Sequence, residues 1–86
     1  MPIISTFFGI VVRVFHKDHN PPHFHAEYAG SKIIVEIKTG KVLFGKLPPR
    51  ALKLIQEWRR ANVAAIERAW KQAQQHQEPQ KVTPLE

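Results

Sequence analysis

The stretch HFHAEYAGSKIIVEIK, residues 23–38, decides the fold of this 86-residue chain, because side-chain type alternates on both sides of Gly30. Alternate side chains of a strand share a face. His23, His25 and Glu27 therefore lie on one face of the first half, and apolar residues lie between them on the other. Residues 32–38 alternate in the same way, with Ile and Val on the buried side. The stretch predicts an antiparallel hairpin that turns at Gly30.

Strand-like segments on both sides extend this hairpin into a meander. Residues 7–15 are apolar on both faces, which is typical of a central strand. A short apolar run at residues 41–44 follows the turn residues Thr39 and Gly40. The first half of the chain thus predicts a three- or four-stranded antiparallel sheet.

The periodicity changes at Pro48-Pro49, since proline suits the first turn of a helix. Apolar residues recur at helical spacing as far as Ala73. An unbroken helix over residues 49–74 would be about 39 Å long, which exceeds the width of a compact chain of this size. We therefore expect two helices that join near residues 60–62, with Asn62 as the N-cap of the second. The whole is an α+β domain over residues 1–74 with both helices on one face of the sheet.

Composition limits the remaining possibilities. The tail, residues 75–86, is rich in Gln and Pro, and we expect it to be disordered. There is no cysteine, which excludes disulfides and thiolate metal ligands. Neither a signal peptide nor a membrane-spanning run is visible, so we expect a cytoplasmic protein with no membrane association. The net charge of +6 favours nucleic acid or an acidic protein as partner, or else serves solubility.

A histidine-rich loop precedes the central hairpin. Residues 16–25 hold four of the five histidines, the only aspartate and the stiff pair Pro21-Pro22. Each buried imidazole needs hydrogen-bond partners, so this density indicates a site rather than packing. Neighbours two apart on a strand are about 6.5–7 Å apart, and two such rings can close on one metal ion or one phosphate.

Three features resemble a known family. They are the run DHNPPHFH at residues 18–25, a Gly-x-Leu-Pro-x-Arg segment at residues 45–50, and the spacing Trp58, Asn62, Ile66, Trp70. With them, residues 1–74 resemble the small bacterial domain of unknown function family 4160. The resemblance implies functional positions at Asp18, His19, His23 and His25, and a toxin–antitoxin-like pairing with a small protein from a neighbouring gene. Ala65 departs from the acidic residue that many relatives carry there, and the Gln-rich tail lies outside the family pattern.

The histidines have three interpretations, all open. In the first, His19, His23 and His25 act as acid and base on RNA without a cofactor, because imidazole titrates near neutral pH. Asp18 or Glu27 would orient one of the rings.

In the second interpretation, His19, His23 and His25 bind a Zn, Ni or Cu ion, together with Glu27 or Asp18. In the third, these residues only stabilise a turn, and the basic surface of a non-catalytic module binds nucleic acid or a partner protein. We take RNA-directed acid–base chemistry as the leading expectation and the binding module, with or without metal, as the alternative. Oligomeric state is left open.

Basic residues dominate the helical half. The candidate nucleic-acid-binding residues are Lys46, Arg50, Lys53, Arg59 and Arg60. Arg50 or Lys46 would hold a phosphate beside the histidines in the first interpretation. The same charges also suit a merely solvated helix surface.

Overall fold

Five strands followed by one helix make up the computed structural model, which describes residues 2–86. The elements are β1 (Ile3–Phe7), β2 (Ile10–Arg13), β3 (His23–Tyr28), β4 (Ser31–Glu36), β5 (Val42–Gly45) and α1 (Pro49–Gln74). The strands form one antiparallel sheet in the order β1-β2-β3-β4-β5. The α+β class and the antiparallel meander are confirmed, with five strands where three or four were expected.

The extra strand arises from residues 7–15, which were expected to form a single strand. The chain instead reverses at Phe8 and Gly9, both at positive φ (50° and 79°), and Phe7 pairs with Ile10 across the turn. Apolar side chains continue on both sides of this turn, so the hydrophobic pattern conceals it. Gly9 was the only local indication, because glycine adopts positive φ readily.

The central hairpin of β3 and β4 turns at Gly30, as predicted. Tyr28 pairs with Ser31, and Ala29 and Gly30 between them take positive φ. Phe24 and Ala26 are fully buried, whereas His25 and Glu27 are only partly buried. The alternation is therefore present along residues 24–27, whereas His23 is buried although it shares a face with His25.

One core joins the sheet to α1. Trp58 is fully buried, and its ring lies 5.4 Å from those of Phe7 and Phe24. The other large, fully buried apolar side chains are Ile4, Ile10, Val12, Val14, Ile33, Val35, Ile37, Ile55 and Ile66. Apolar residues of both elements thus exclude water from a single layer between helix and sheet.

The structure has one helix where two were expected, and the expected break at residues 60–62 is present as a kink between two helical segments. α1 runs as one helix from Pro49 to Gln74 and is kinked at Asn62, whose φ of −135° and ψ of 22° are not helical. Asn62 does not cap a second helix. Its Nδ2 donates to the carbonyl of Trp58 at 2.9 Å. The longest extent of the molecule is 33 Å, so a straight helix of about 39 Å would project beyond the sheet.

The C-terminal residues pack on the domain, contrary to the disorder expected for residues 75–86. The Val82 side chain is buried in the core, and its N–H donates to the Ile4 carbonyl of β1 at 2.7 Å. Trp58 Nε1 donates to the Thr83 carbonyl at 2.9 Å. One buried valine and the free edge of β1 thus hold a segment whose composition alone predicts disorder.

Within residues 2–86, no helix combines the length and apolarity needed to cross a bilayer.

Candidate functional site

The loop between β2 and β3 brings the carboxylate of Asp18 against the histidines of β3. Asp18 Oδ2 lies 2.8 Å from His23 Nε2 and 3.2 Å from His25 Nε2. Asp18 Oδ1 accepts the backbone N–H of His19 at 3.0 Å. Lys17, at a φ of 55°, turns the chain just before the aspartate. Two histidines of β3 therefore approach the same carboxylate oxygen of a loop residue, Asp18.

His23 is the most constrained member of this group. Only 2% of its side chain is exposed, and its ring lies 5.0 Å from that of Trp70. Its Nδ1 donates to the Pro21 carbonyl at 2.7 Å, because a carbonyl can only accept. Its Nε2 lies 2.8 Å from Asp18 Oδ2, a separation that a shared proton or a metal ion can bridge.

His25 is more accessible and packs among aromatic rings. Its side chain is 26% exposed, and its ring lies 4.2 Å from Phe15, edge to face, and 5.2 Å from His23. Burial lowers the pKa of His25 below its ordinary value, against the raising effect of the hydrogen bond with Asp18. At neutral pH the ring is therefore uncharged, as a metal ligand must be.

Asp18 remains ionised at neutral pH. Partial burial acts to raise its pKa. Hydrogen bonds from His25, from the His19 backbone and from His23 outweigh that effect and leave the pKa below its ordinary value. The site thus offers an anionic oxygen between two imidazoles.

The geometry suits a metal ion. The ligand atoms of Asp18, His23 and His25 all lie within 4.8 Å of one another. Around a tetrahedral ion with bonds of about 2.0–2.1 Å, adjacent ligand atoms are about 3.3–3.4 Å apart. The observed 2.8 and 3.2 Å separations reach that spacing if the rings move outward by a few tenths of an ångström.

A comparison with known protein families identifies the chain at this point. Residues 9–71 match the family described as Domain of unknown function (DUF4160). The chain belongs to this family. The match confirms the resemblance seen in the sequence and covers the site loop and most of α1. No curated protein and no solved structure matches the chain.

His19 and Glu27 lie outside the cluster in this DUF4160 chain. His19 Nδ1 is 3.2 Å from Asp18 Oδ1, but the ring is 85% exposed and turned to solvent. Glu27 pairs with Arg13 at 3.6 Å and Lys32 at 3.9 Å. Of the predicted metal ligands, His23 and His25 lie together with Asp18, which was predicted as a possible additional ligand, and His19 does not join them.

The expected phosphate-binding residues do not meet the histidines. Arg50 lines a hollow with Phe8 and Tyr28. Tyr28 is the last residue of β3, about 17 Å along the strand from His23. Lys46 lines another hollow, beside β5. The acid–base hypothesis placed these cations next to the rings, and the fold holds them elsewhere.

Arg59 also departs from its predicted role at a nucleic-acid surface. It is buried, and its guanidinium donates to the Ile37 and Lys38 carbonyls at 3.0 and 3.2 Å and to Gln56 Oε1 at 3.0 Å. It therefore fastens α1 to the end of β4. Lys53 and Arg60 are exposed, as a binding role requires.

Two contributors to the site were missed by sequence reasoning. The Pro21 carbonyl orients His23, and Trp70 covers the other side of that ring. The stiff Pro21-Pro22 pair was the available signal for the first. Trp70, forty-seven residues later, gave no signal beyond its helical spacing.

Proposed function

We propose that this protein binds a divalent transition-metal ion through Asp18, His23 and His25. The observation that carries the proposal is the hydrogen bond from His23 Nδ1 to the Pro21 carbonyl, which directs Nε2 at the carboxylate. Metal-ligating histidines characteristically donate their second nitrogen to a carbonyl or carboxylate, which fixes the ring and its tautomer.

The donor set indicates the class of ion and of site. Two imidazoles and one carboxylate suit Zn, Ni or Cu. Three protein ligands leave a coordination position for water or a substrate, as in catalytic rather than structural zinc sites. A metal ion held there would polarise a bound water molecule. The exposed His19 ring lies 5.3 Å from that of His23 and would be the nearest further histidine to an ion held there.

The geometry favours metal binding over metal-free acid–base cleavage of RNA. Both nitrogens of His23 face oxygen atoms within 2.8 Å and the ring is buried, so it cannot reach a substrate. Arg50 and Lys46 line hollows that include none of the three histidines, so no cation for a phosphorane is placed at this site. A toxin–antitoxin pairing and a cytoplasmic location remain expectations from the resemblance and from composition.

Calorimetric titration of tag-free, EDTA-treated protein with Zn²⁺, Ni²⁺ and Cu²⁺ tests the proposal. We expect one ion per chain. Asp18→Asn and His25→Gln should each weaken binding at least 10- to 100-fold, the loss that follows even from second-shell changes. His76→Gln is the matched control, because it removes an exposed histidine outside the cluster. Trp70, beside His23, should report bound Cu²⁺ by quenching of its fluorescence.

His19→Gln separates the two ligand sets. The geometry predicts that affinity is nearly unchanged, whereas the set expected from sequence predicts a loss as large as that of His25→Gln. If Asp18→Asn binds Zn²⁺ as tightly as the wild type, the proposal is wrong. Cleavage of bulk RNA that persists in EDTA and disappears in His25→Gln would favour acid–base chemistry instead.

A further inference from the structure

A second site lies at the other end of β3, away from the histidines. Phe8, Tyr28, Arg50, Ala51 and Leu54 line an open hollow of about 350 Å³. That volume is at the lower end of the range for small-molecule sites. The lining combines two aromatic rings with one guanidinium, and it involves none of the proposed metal ligands.

Phe8 occupies a position that its own conformation disfavours. It is the first residue of the two-residue turn between β1 and β2, with a φ of 50°. Such turns prefer Asn, Asp or Gly there, and a bulky residue at positive φ is an outlier. Phe8 gains little from packing either, because 59% of it is exposed. Phe8 therefore keeps a disfavoured backbone conformation while most of its surface, at the edge of the hollow, is open to solvent.

Tyr28 and Arg50 add a second aromatic ring and a positive charge to the lining of the hollow. The Tyr28 ring lies against the turn, since a Cβ added at Gly9 would be 3.5 Å from Tyr28 Cε1. Among residues 2–86, the Arg50 guanidinium makes no ion pair. Lys53, three residues along the helix and exposed, adds a second cation on that side.

We propose that this hollow binds a nucleotide unit, with the base against Phe8 and Tyr28 and the phosphate on Arg50. Aromatic side chains beside basic ones are the usual platform for unpaired bases, because every base has a stacking face. Guanidinium groups pair well with phosphate oxygens. The net charge of +6 further favours a polyanion. The unit could be part of a single strand or a free nucleotide, and the assay distinguishes these sources.

Fluorescence anisotropy with labelled octauridylate, on tag-free full-length protein, tests the inference. Phe8→Asn is the decisive variant, because it removes the ring while placing a favoured residue in the turn. We expect binding to fall about 5- to 150-fold, the range for loss of one stacked base. The thermal midpoint should stay the same or rise, which a structural role for Phe8 would not permit.

Arg50→Gln should weaken binding and reduce the slope of log K against log salt by about 0.7, the value for one phosphate contact on a single strand. Arg68→Gln is the control, because it removes one exposed positive charge outside the hollow. Competition by uridine monophosphate would identify a free nucleotide as sufficient. Displacement only by longer oligomers would identify a strand that also contacts Lys53.

Equal binding by wild type and Phe8→Asn would overturn the inference, and so would equal effects of Arg50→Gln and Arg68→Gln. Failure of octauridylate and of the mononucleotide to bind at millimolar concentration would overturn it as well. The assay is run in EDTA, so its outcome does not depend on the metal site.

Discussion

Saturation with Zn²⁺ should raise the thermal midpoint of this protein substantially. The ligand atoms of Asp18, His23 and His25 meet only when the loop folds back on β3, so the ion should bind the folded chain more tightly than the unfolded one. At a free concentration of 100 times Kd, this linkage stabilises the fold by about 2.7 kcal/mol.

The shift in midpoint follows from the size of the chain. Unfolding entropy is about 2.1 cal/mol/K per residue, or about 0.18 kcal/mol/K for 86 residues. The midpoint should therefore rise by about 15 °C. This is an upper value, because ligands within residues 18–25 retain some affinity in the unfolded chain.

Circular dichroism melts with Zn²⁺ and with EDTA measure this shift. Asp18→Asn should remove most of it, and His76→Gln should preserve it. No shift at 100 times the calorimetric Kd, or an equal shift in Asp18→Asn, would refute the reasoning.

Three further predictions concern stability and are checked by urea denaturation. Arg59→Met should lower the unfolding free energy by about 2–4 kcal/mol, because it leaves two carbonyls without their donor. The exposed neighbour Arg60→Met should change it by less than about 0.5 kcal/mol, and equal losses would contradict the assignment. Val82→Ala should lower it by about 1.5–2.5 kcal/mol if the tail packs as described; no loss would indicate a detached tail. Gly40→Ala should lower the unfolding free energy by at least about 1 kcal/mol more than Gly30→Ala does. Both glycines lie at positive φ, but only at position 40 would a Cβ meet side chains of α1, at 2.7–2.8 Å. Equal losses of unfolding free energy would contradict that contact.

Local patterns predicted the parts of the fold that depend on neighbours in sequence. The alternation of residues 23–38 predicted the β3–β4 hairpin, and the proline pair at 48–49 marked the start of α1. The turn at Phe8 was concealed because both strands that it joins are apolar. The kink at Asn62 was placed correctly, but its cause lies in a side chain that bonds backward to Trp58 rather than in a cap.

The candidate site was predictable in outline only. Its residues lie within eight positions of one another, so the loop itself pointed to His23 and His25. Which third group joins them depends on how the loop folds back, and the structure selects Asp18 over the exposed His19. Whether each basic residue is exposed or buried was also not predictable from the sequence pattern. Arg59, for example, is buried because it bonds the chain just after β4, which lies about 20 residues earlier in the sequence.

The sequence by itself determined the antiparallel hairpin, the helix and the loop of ligand-type residues, because each depends on short-range periodicity and side-chain chemistry. Only the tertiary structure decided that Trp70 covers His23, that Val82 closes the edge of β1, and that Phe8, Tyr28 and Arg50 share one hollow. These contacts join residues 20 to 78 positions apart. They follow from the common burial of apolar side chains between sheet and helix, which no local pattern encodes.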